Sequence, residues 1–257
     1  MLNKHTLCPR LLFLLATLSL CLFSGLAASH AETAVPTDNE SPLNLLIFTR
    51  TTGYRHASIE DGVKMLQKLC DEHGYAMTHT EDPAVFTDES LAGYNVVIFL
   101  STSGDVLDEA QQQAFERYIQ SGGAFVGIHG ASATEQEWAW YGKLVGAFFT
   151  EHPAIQEATV RITQPGHVCT HDLPNPWTRT DEWYNFRDVQ PGLTVLAEVD
   201  ESSYEGGAMG AHHPIVWCHE FQGARSFYTA LGHTPESYTD PAFVGHVHRG
   251  ILWAAGR

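Results

Sequence analysis

The chain is 257 residues long and carries 30 acidic against 14 basic side chains, a formal net charge of −16. That balance repels phosphate backbones and anionic bilayers, which argues against nucleic acid as a partner. With 44% hydrophobic and 11% aromatic residues, the chain has the apolar content to bury one substantial core.

The first stretch reads as a secretory signal peptide. Lys4 and Arg10 flank the start, an apolar run extends from Leu11 to Ala28, and Ser29-His30-Ala31 supplies a small-residue cleavage site. Cleavage after Ala31 predicts a soluble chain that is secreted or periplasmic. The apolar run also approaches the roughly 18 to 20 residues of a spanning helix, so a membrane anchor is the competing reading. A lipid anchor at Cys21 is disfavoured, because bulky Leu20 stands where such a site takes a small residue. Loss of residues 1–31 removes two basic residues and no acidic one, leaving 12 against 30 and a net charge of −18. Cys8 and Cys21 leave with it. Cys70, Cys169 and Cys218 remain, enough for one disulfide at most and unlike any paired-cysteine zinc site. Residues 32–42, with Pro36 and Pro42 among polar neighbours, read as a linker to a domain over residues 43–257.

Strand and helix signals then alternate. Leu43 to Thr49 is a buried strand, Ile59, Val63, Leu66 and Leu69 recur at helical spacing, and Tyr75 to Thr80 is a second strand. Asn95 to Ser101 is a third, nearly all apolar. Ala110, Ala114, Phe115, Tyr118 and Ile119 mark a helix ended by Gly122 and Gly123, and Ala124 to Ile128 is a fourth strand. This order predicts an α/β fold with a mostly parallel central sheet and helices on both faces. Ile155 to Ile162, Leu193 to Val199, Ile215 to His219 and Ala224 to Leu231 read as further strands, and Pro241 to Ala255 as a closing helix.

The fourth strand delivers His129 to a turn of small residues, Gly130, Ala131 and Ser132. Loops after the C-terminal ends of strands form the ligand crevice of an open α/β sheet, so His129 is expected to project into it, partly exposed. Where a nucleophile elbow carries Ser or Cys, this one carries His. Imidazole is a poor stable acyl acceptor but a good general base, hydrogen-bond donor or metal ligand.

Four polar loops interrupt the scaffold. In Thr49 to Ser58, Arg55 and His56 are candidate substrate contacts, and Ser58 is placed to cap the next helix. In Ser101 to Asp105, a glycine turn offers amides to an anion, though without the wider glycine pattern of a phosphate loop. Between Glu135 and Pro153, Trp138, Trp140, Tyr141, Phe148 and Phe149 are either core or faces for stacking on sugar rings. In Arg179 to Phe186, Asp181 and Glu182 are candidate acid/base carboxylates beside Trp183 and Tyr184, candidate sugar contacts. Neighbours on a strand point to opposite faces, so one carboxylate of the pair is expected in the crevice.

The histidines sort by position. His246 and His248, about 200° apart around a predicted helix, cannot grip one ion. His167 and His171 flank Cys169 in a loop that reads as surface before it reads as a zinc site. His73 and His79 lack companions. His56, His129, His152, His213 and His233 each sit beside a predicted strand end. Of these, His56, His129, His152 and His233 are the candidate ligands for a divalent metal such as zinc, if they converge.

The segments TRTTGYRHASI, FLSTSGDVL, GGAFVGIHGAS, WYGKLVGAFFTEHP, RTDEWYNF, HPIVWCHE and SFYTALGHTPESYTDPAF, in this order and spacing, resemble the ThuA-like family. That family is named for trehalose utilisation and lies in the class I glutamine amidotransferase-like superfamily. The resemblance runs from about Leu43 to Gly256. It implies a flavodoxin-like three-layer sandwich and a link to disaccharide and keto-sugar metabolism. Glutaminases of the wider superfamily carry cysteine where His129 stands here, so glutamine hydrolysis is not expected.

Two readings follow for function. One is an exported enzyme acting on a disaccharide, glycoside or keto-glycoside, with His129 as acid/base, Asp181 and Glu182 assisting, and His233 among the substrate contacts. A divalent metal would serve it as Lewis acid. The other is a non-catalytic carbohydrate-binding module that kept an amidotransferase-like crevice. In both the partner is a small-molecule carbohydrate.

Overall fold

The continuous apolar runs become the centre of a nine-stranded sheet, seen in a computed structural model that describes residues 41–257. The expected signal peptide and all but the last two residues of the expected linker lie outside the described residues. The strands are β1 (Asn44–Phe48), β2 (Ala76–Thr80), β3 (Val96–Leu100), β4 (Ala124–Ile128), β5 (Phe148–Glu151), β6 (Gln156–Ile162), β7 (Trp177–Asp181), β8 (Asn185–Arg187), β9 (Thr194–Val199), β10 (Pro214–Phe221) and β11 (Ala224–Thr229). The helices are α1 (Ile59–His73), α2 (Asp88–Leu91), α3 (Glu109–Gln120), α4 (Ala139–Val145) and α5 (Pro241–Ala254).

The order across the large sheet is β2-β1-β3-β4-β11-β10-β9-β6-β7, while β5 and β8 pair separately. The first five strands are parallel, and from β11 onward every neighbour is antiparallel. The expected mostly parallel pairing holds from β2 to β11, and the reversal begins at a hairpin. Gln222 and Gly223 join β10 to β11 with φ of 51° and 93°, the two left-handed positions that a tight two-residue hairpin requires. Such a loop forces antiparallel pairing, whereas a parallel neighbour needs a crossover.

The alternation along β11 shows why both faces are covered. Phe227 points to one face, where a side chain at Gly250 of α5 would strike its ring. Ser226 points to the other and donates to the Leu144 carbonyl of α4 at 2.6 Å. Sheet and helices thus form the layers of a flavodoxin-like α/β sandwich. Local signals set several helix starts. Asp108 and Gln111 close a capping box on α3, and Asp240 accepts from the Ala242 amide with Pro241 in the first turn of α5. Ser58 does not cap α1. Its buried hydroxyl donates to the Gly232 carbonyl at 3.3 Å, tying the loop after β1 to the loop after β11.

Candidate active site at the strand ends

The turn after β4 is built as an elbow. His129 has φ of 50°, a left-handed conformation that costs a non-glycine residue on the order of 1–3 kcal/mol. Its surroundings hold it there. The Tyr228 hydroxyl donates to the His129 carbonyl at 2.9 Å, Ser132 Oγ lies 2.8 Å from that hydroxyl, and the Tyr141 hydroxyl donates to the Ala131 carbonyl at 2.7 Å. Gly130 is required by close approach, since a Cβ there would lie 2.8 Å from the Thr102 carbonyl oxygen at the end of β3.

Nδ1 of His129 sits 2.7 Å from the carbonyl oxygen of Ala230. A carbonyl only accepts, so Nδ1 carries the proton and, in the neutral ring, Nε2 presents its lone pair. Around that nitrogen stand His56 Nε2 at 3.1 Å, His233 Nδ1 at 3.2 Å, the Tyr184 hydroxyl at 2.9 Å and Glu182 Oε2 at 3.4 Å. Glu182 Oε2 also lies 3.1 Å from His233 Nδ1. Ligand atoms of His56, His129, Glu182 and His233 all fall within 4.8 Å of one another, the sole such group of three or more among the described residues.

Burial and charge act in opposite directions here. Burial, reinforced by His129 and His233, pushes the His56 imidazole down to about 3. At Glu182 burial favours the neutral acid, yet the neighbouring imidazoles of His129 and His233 outweigh it and hold the carboxyl well below the usual range. Burial likewise opposes the charge on His233, but the Glu182 hydrogen bond and carboxylate charge raise its imidazole above the ordinary value.

Above the cluster opens a cleft of about 690 Å³, with His56, Glu182, Tyr184 and His233 in its floor. Tyr54, Phe149 and Ile155 give it apolar walls, and the rings of Phe149 and Tyr184 lie 4.2 Å apart. His129 itself does not line the cleft and is completely buried, in contrast to the partly exposed side chain expected from its turn. The loops after β1 and β11 close over it. It meets the cleft only through the floor residues.

The polar-aromatic segment after β7 splits by alternation. Glu182 and Tyr184 face the cleft; Asp181 and Trp183 face away. Asp181 accepts from the backbone amides of Gly232 and His233, both at 3.0 Å, and pairs with Arg179 at 3.0 Å. It therefore positions the His233 loop and does not reach the cleft as an acid/base group. Trp183 is buried, with Nε1 donating to the Gln156 carbonyl at 2.9 Å, and offers no face to a sugar. Arg55 also misses the cleft, because Glu60 at 2.7 Å and Glu81 at 2.8 Å hold its guanidinium at the surface.

His152 lies at the rim with its side chain 40% exposed, 3.1 Å from Glu182 Oε1. It stands outside the converging donors, and Glu182 takes the fourth place instead. His213 is buried behind the site, with Nε2 2.7 Å from the Tyr184 carbonyl and Nδ1 2.8 Å from Glu201. Of the aromatic run before Pro153, Phe149 lines the cleft, while Tyr141 and Phe148 are core. The Ser101–Asp105 turn is no anion cradle. Its Gly104 amide is spent on the Ala133 carbonyl at 3.0 Å. Cys70, Cys169 and Cys218 are free and buried, and none lines the cleft.

A family model for ThuA, trehalose utilisation, matches residues 44–254. A solved structure described as a ThuA-like protein from Bacteroides uniformis superposes with a TM-score of 0.73 at 24% identity, covering 86% of this chain and 95% of its own. A second, from Parabacteroides merdae, gives 0.70 at 20% identity over 84% and 90%. A β-galactosidase from Bacillus circulans shares the fold with a TM-score of 0.54 at 14% identity, over 84% of this chain and 31% of its own. No curated protein matches the chain.

Proposed function

This chain belongs to the ThuA family, of trehalose utilisation, within the class I glutamine amidotransferase-like superfamily; from the carbohydrate-related role that membership carries, we propose that its cleft processes a disaccharide, glycoside or keto-glycoside by acid/base chemistry. One observation supports this reading above the others. The carboxylate of Glu182, two imidazoles and the Tyr184 hydroxyl meet in the floor of an aromatic-walled cleft, where a sugar oxygen seated against Tyr184 would have both proton donors and acceptors within reach. His129 holds these groups from beneath, and Asp181 holds the backbone of His233. The aromatic walls would serve equally in a carbohydrate-binding module, and turnover separates the two.

The test is a panel of disaccharides, glycosides and keto-glycosides offered to the full chain. Turnover is expected, falling on the order of 10²-fold in His129→Ala, which displaces the floor groups that the imidazole holds, and not rescued by His129→Asn. Binding of sugars with no turnover on any member would replace the enzyme reading with the binding module. Ammonia release from glutamine is not expected, since imidazole stands at the elbow. The proposal includes export. A mature mass beginning at Glu32 supports it, and recovery of intact chain in membranes would remove it.

A further inference from the structure

We propose that His56 Nε2, His129 Nε2, His233 Nδ1 and a Glu182 oxygen hold one divalent transition-metal ion of the zinc class, which takes a carbonyl or hydroxyl oxygen from the cleft as a fifth ligand. The inference starts from a mismatch. An imidazole with no surface of its own cannot take a proton from a sugar, yet His129 aims its lone pair at three other potential ligand atoms. One lone pair cannot accept hydrogen bonds from all the groups around it. A cation at their common centre engages every donor at once.

The distances suit that arrangement. Nitrogen ligands about 2.0–2.1 Å from a tetrahedral zinc are about 3.3–3.4 Å from each other. The close pairs in this cluster are 3.1, 3.2, 3.4 and 3.1 Å apart. The donor chemistry agrees as well. Three imidazoles and one carboxylate favour zinc and its neighbours over magnesium or calcium, which take oxygen shells.

The outer groups fit a metal centre too. The Ala230 carbonyl accepts from Nδ1 of His129, fixing the tautomer that leaves Nε2 free to ligate. Asp181 does the equivalent for His233 through the backbone, gripping its amide and that of Gly232. With the ion in place His129 is a ligand rather than a base. Proton movement then falls to the Tyr184 hydroxyl and to the Glu182 oxygen left off the ion, while the ion polarises the sugar oxygen as a Lewis acid. This deepens the carbohydrate reading, on which the nature of the bound oxygen rests; the metal site itself does not depend on it.

The experiment strips the full chain with a chelator and titrates it with zinc, manganese and nickel salts. Elemental analysis is expected to give one ion per chain after removal of excess metal. Cobalt(II) loading should produce visible d–d absorption of a nitrogen- and oxygen-ligated ion, a readout that needs no variant. His56→Ala and His233→Ala should each weaken zinc binding about 100-fold or more, while His212→Ala, at the exposed surface, should not change it. Folded protein that takes up no ion, or an ion whose affinity ignores both His56→Ala and His233→Ala, would overturn the proposal. Undiminished sugar turnover by the stripped protein would remove the ion from the chemistry and leave the carbohydrate reading standing. A stoichiometric ion with no turnover on the sugar panel would leave the metal site standing and remove the enzyme reading.

Discussion

The central and the outer strands of the sheet are built to different rules. In the parallel half, β3 and β4 are buried at all five positions, as strands covered on both faces must be. In the antiparallel half, β6 alternates. Ala158, Val160 and Ile162 are buried while Glu157 and Arg161 are exposed. The parallel half ends each strand at the same edge, so the loops after β1, β4 and β11 bring His56, His129 and His233 together. The antiparallel half contributes Glu182 and Tyr184 from the segment after β7. The site is the seam between a rigid frame of imidazoles and a carboxylate supplied from elsewhere, and each half can be broken separately.

The largest effect is expected from taking the carboxylate out of the seam. Glu182→Gln keeps the shape and removes the charge facing His129 and His233, and turnover is expected to fall roughly 10²- to 10⁴-fold. Steady-state assays on whichever sugar is turned over would measure it. An activity within a few-fold of wild type would show that the frame of imidazoles works alone.

Next in size is the link that lets β7 hold the loop after β11. Asp181→Ala leaves buried Arg179 with Asp240, at 3.6 Å, as its remaining carboxylate and frees two backbone amides; removal of one member of a buried pair costs about 3–5 kcal/mol, and the loss here is expected toward the lower end. Denaturant unfolding should show that loss. A variant as stable as wild type would mean that the His233 loop needs no tether.

The contrast in burial predicts a smaller pair of effects. Ile98→Ala in β3 should cost about 2–5 kcal/mol through the cavity it leaves. The exposed Thr178 of β7 should tolerate Thr178→Ala within about 0.5 kcal/mol. Equal losses at both positions would erase the distinction between central and outer strands.

The pH response sharpens the comparison further, because α5 packs on the parallel half. Burial pushes the imidazoles of His246 and His248 down to about 4, with His73 adding to the effect at His248. In the unfolded chain both titrate near 6.5. Between about 6.5 and 4 the unfolded state therefore binds more protons, so stability is lost as pH falls through that window. His246→Gln should flatten this slope in thermal melts taken across the range. An unchanged slope would place the acid sensitivity in other groups.

Much of the frame was legible because it depends on local pattern. Apolar runs marked β1, β3 and β4, helical spacing marked α1 and α3, and the small-residue turn marked His129 as the elbow. Alternation also foretold that one carboxylate of Asp181 and Glu182 would face the cleft. The short α4, β5 and β8 left no such trace, since each mixes apolar and polar residues with no continuous apolar run and is too short to show a period.

The sequence by itself determined which strands would be buried, which residue would stand at the elbow, and that no cysteine would stand there, because backbone preference and burial act over a few neighbouring residues. Only the tertiary structure decided the rest. His56, His129, Glu182 and His233 lie far apart along the chain, and no local rule sets the distance between loops that end different strands. The same holds for the roles of Arg55, Trp183 and Asp181, whose residue types suited a ligand site but whose partners turned them to the surface, the core and the backbone of a neighbouring loop. Nor could the turn reveal that His129 would be sealed from solvent, because what covers it comes from the ends of β1 and β11 and from Tyr184 after β7.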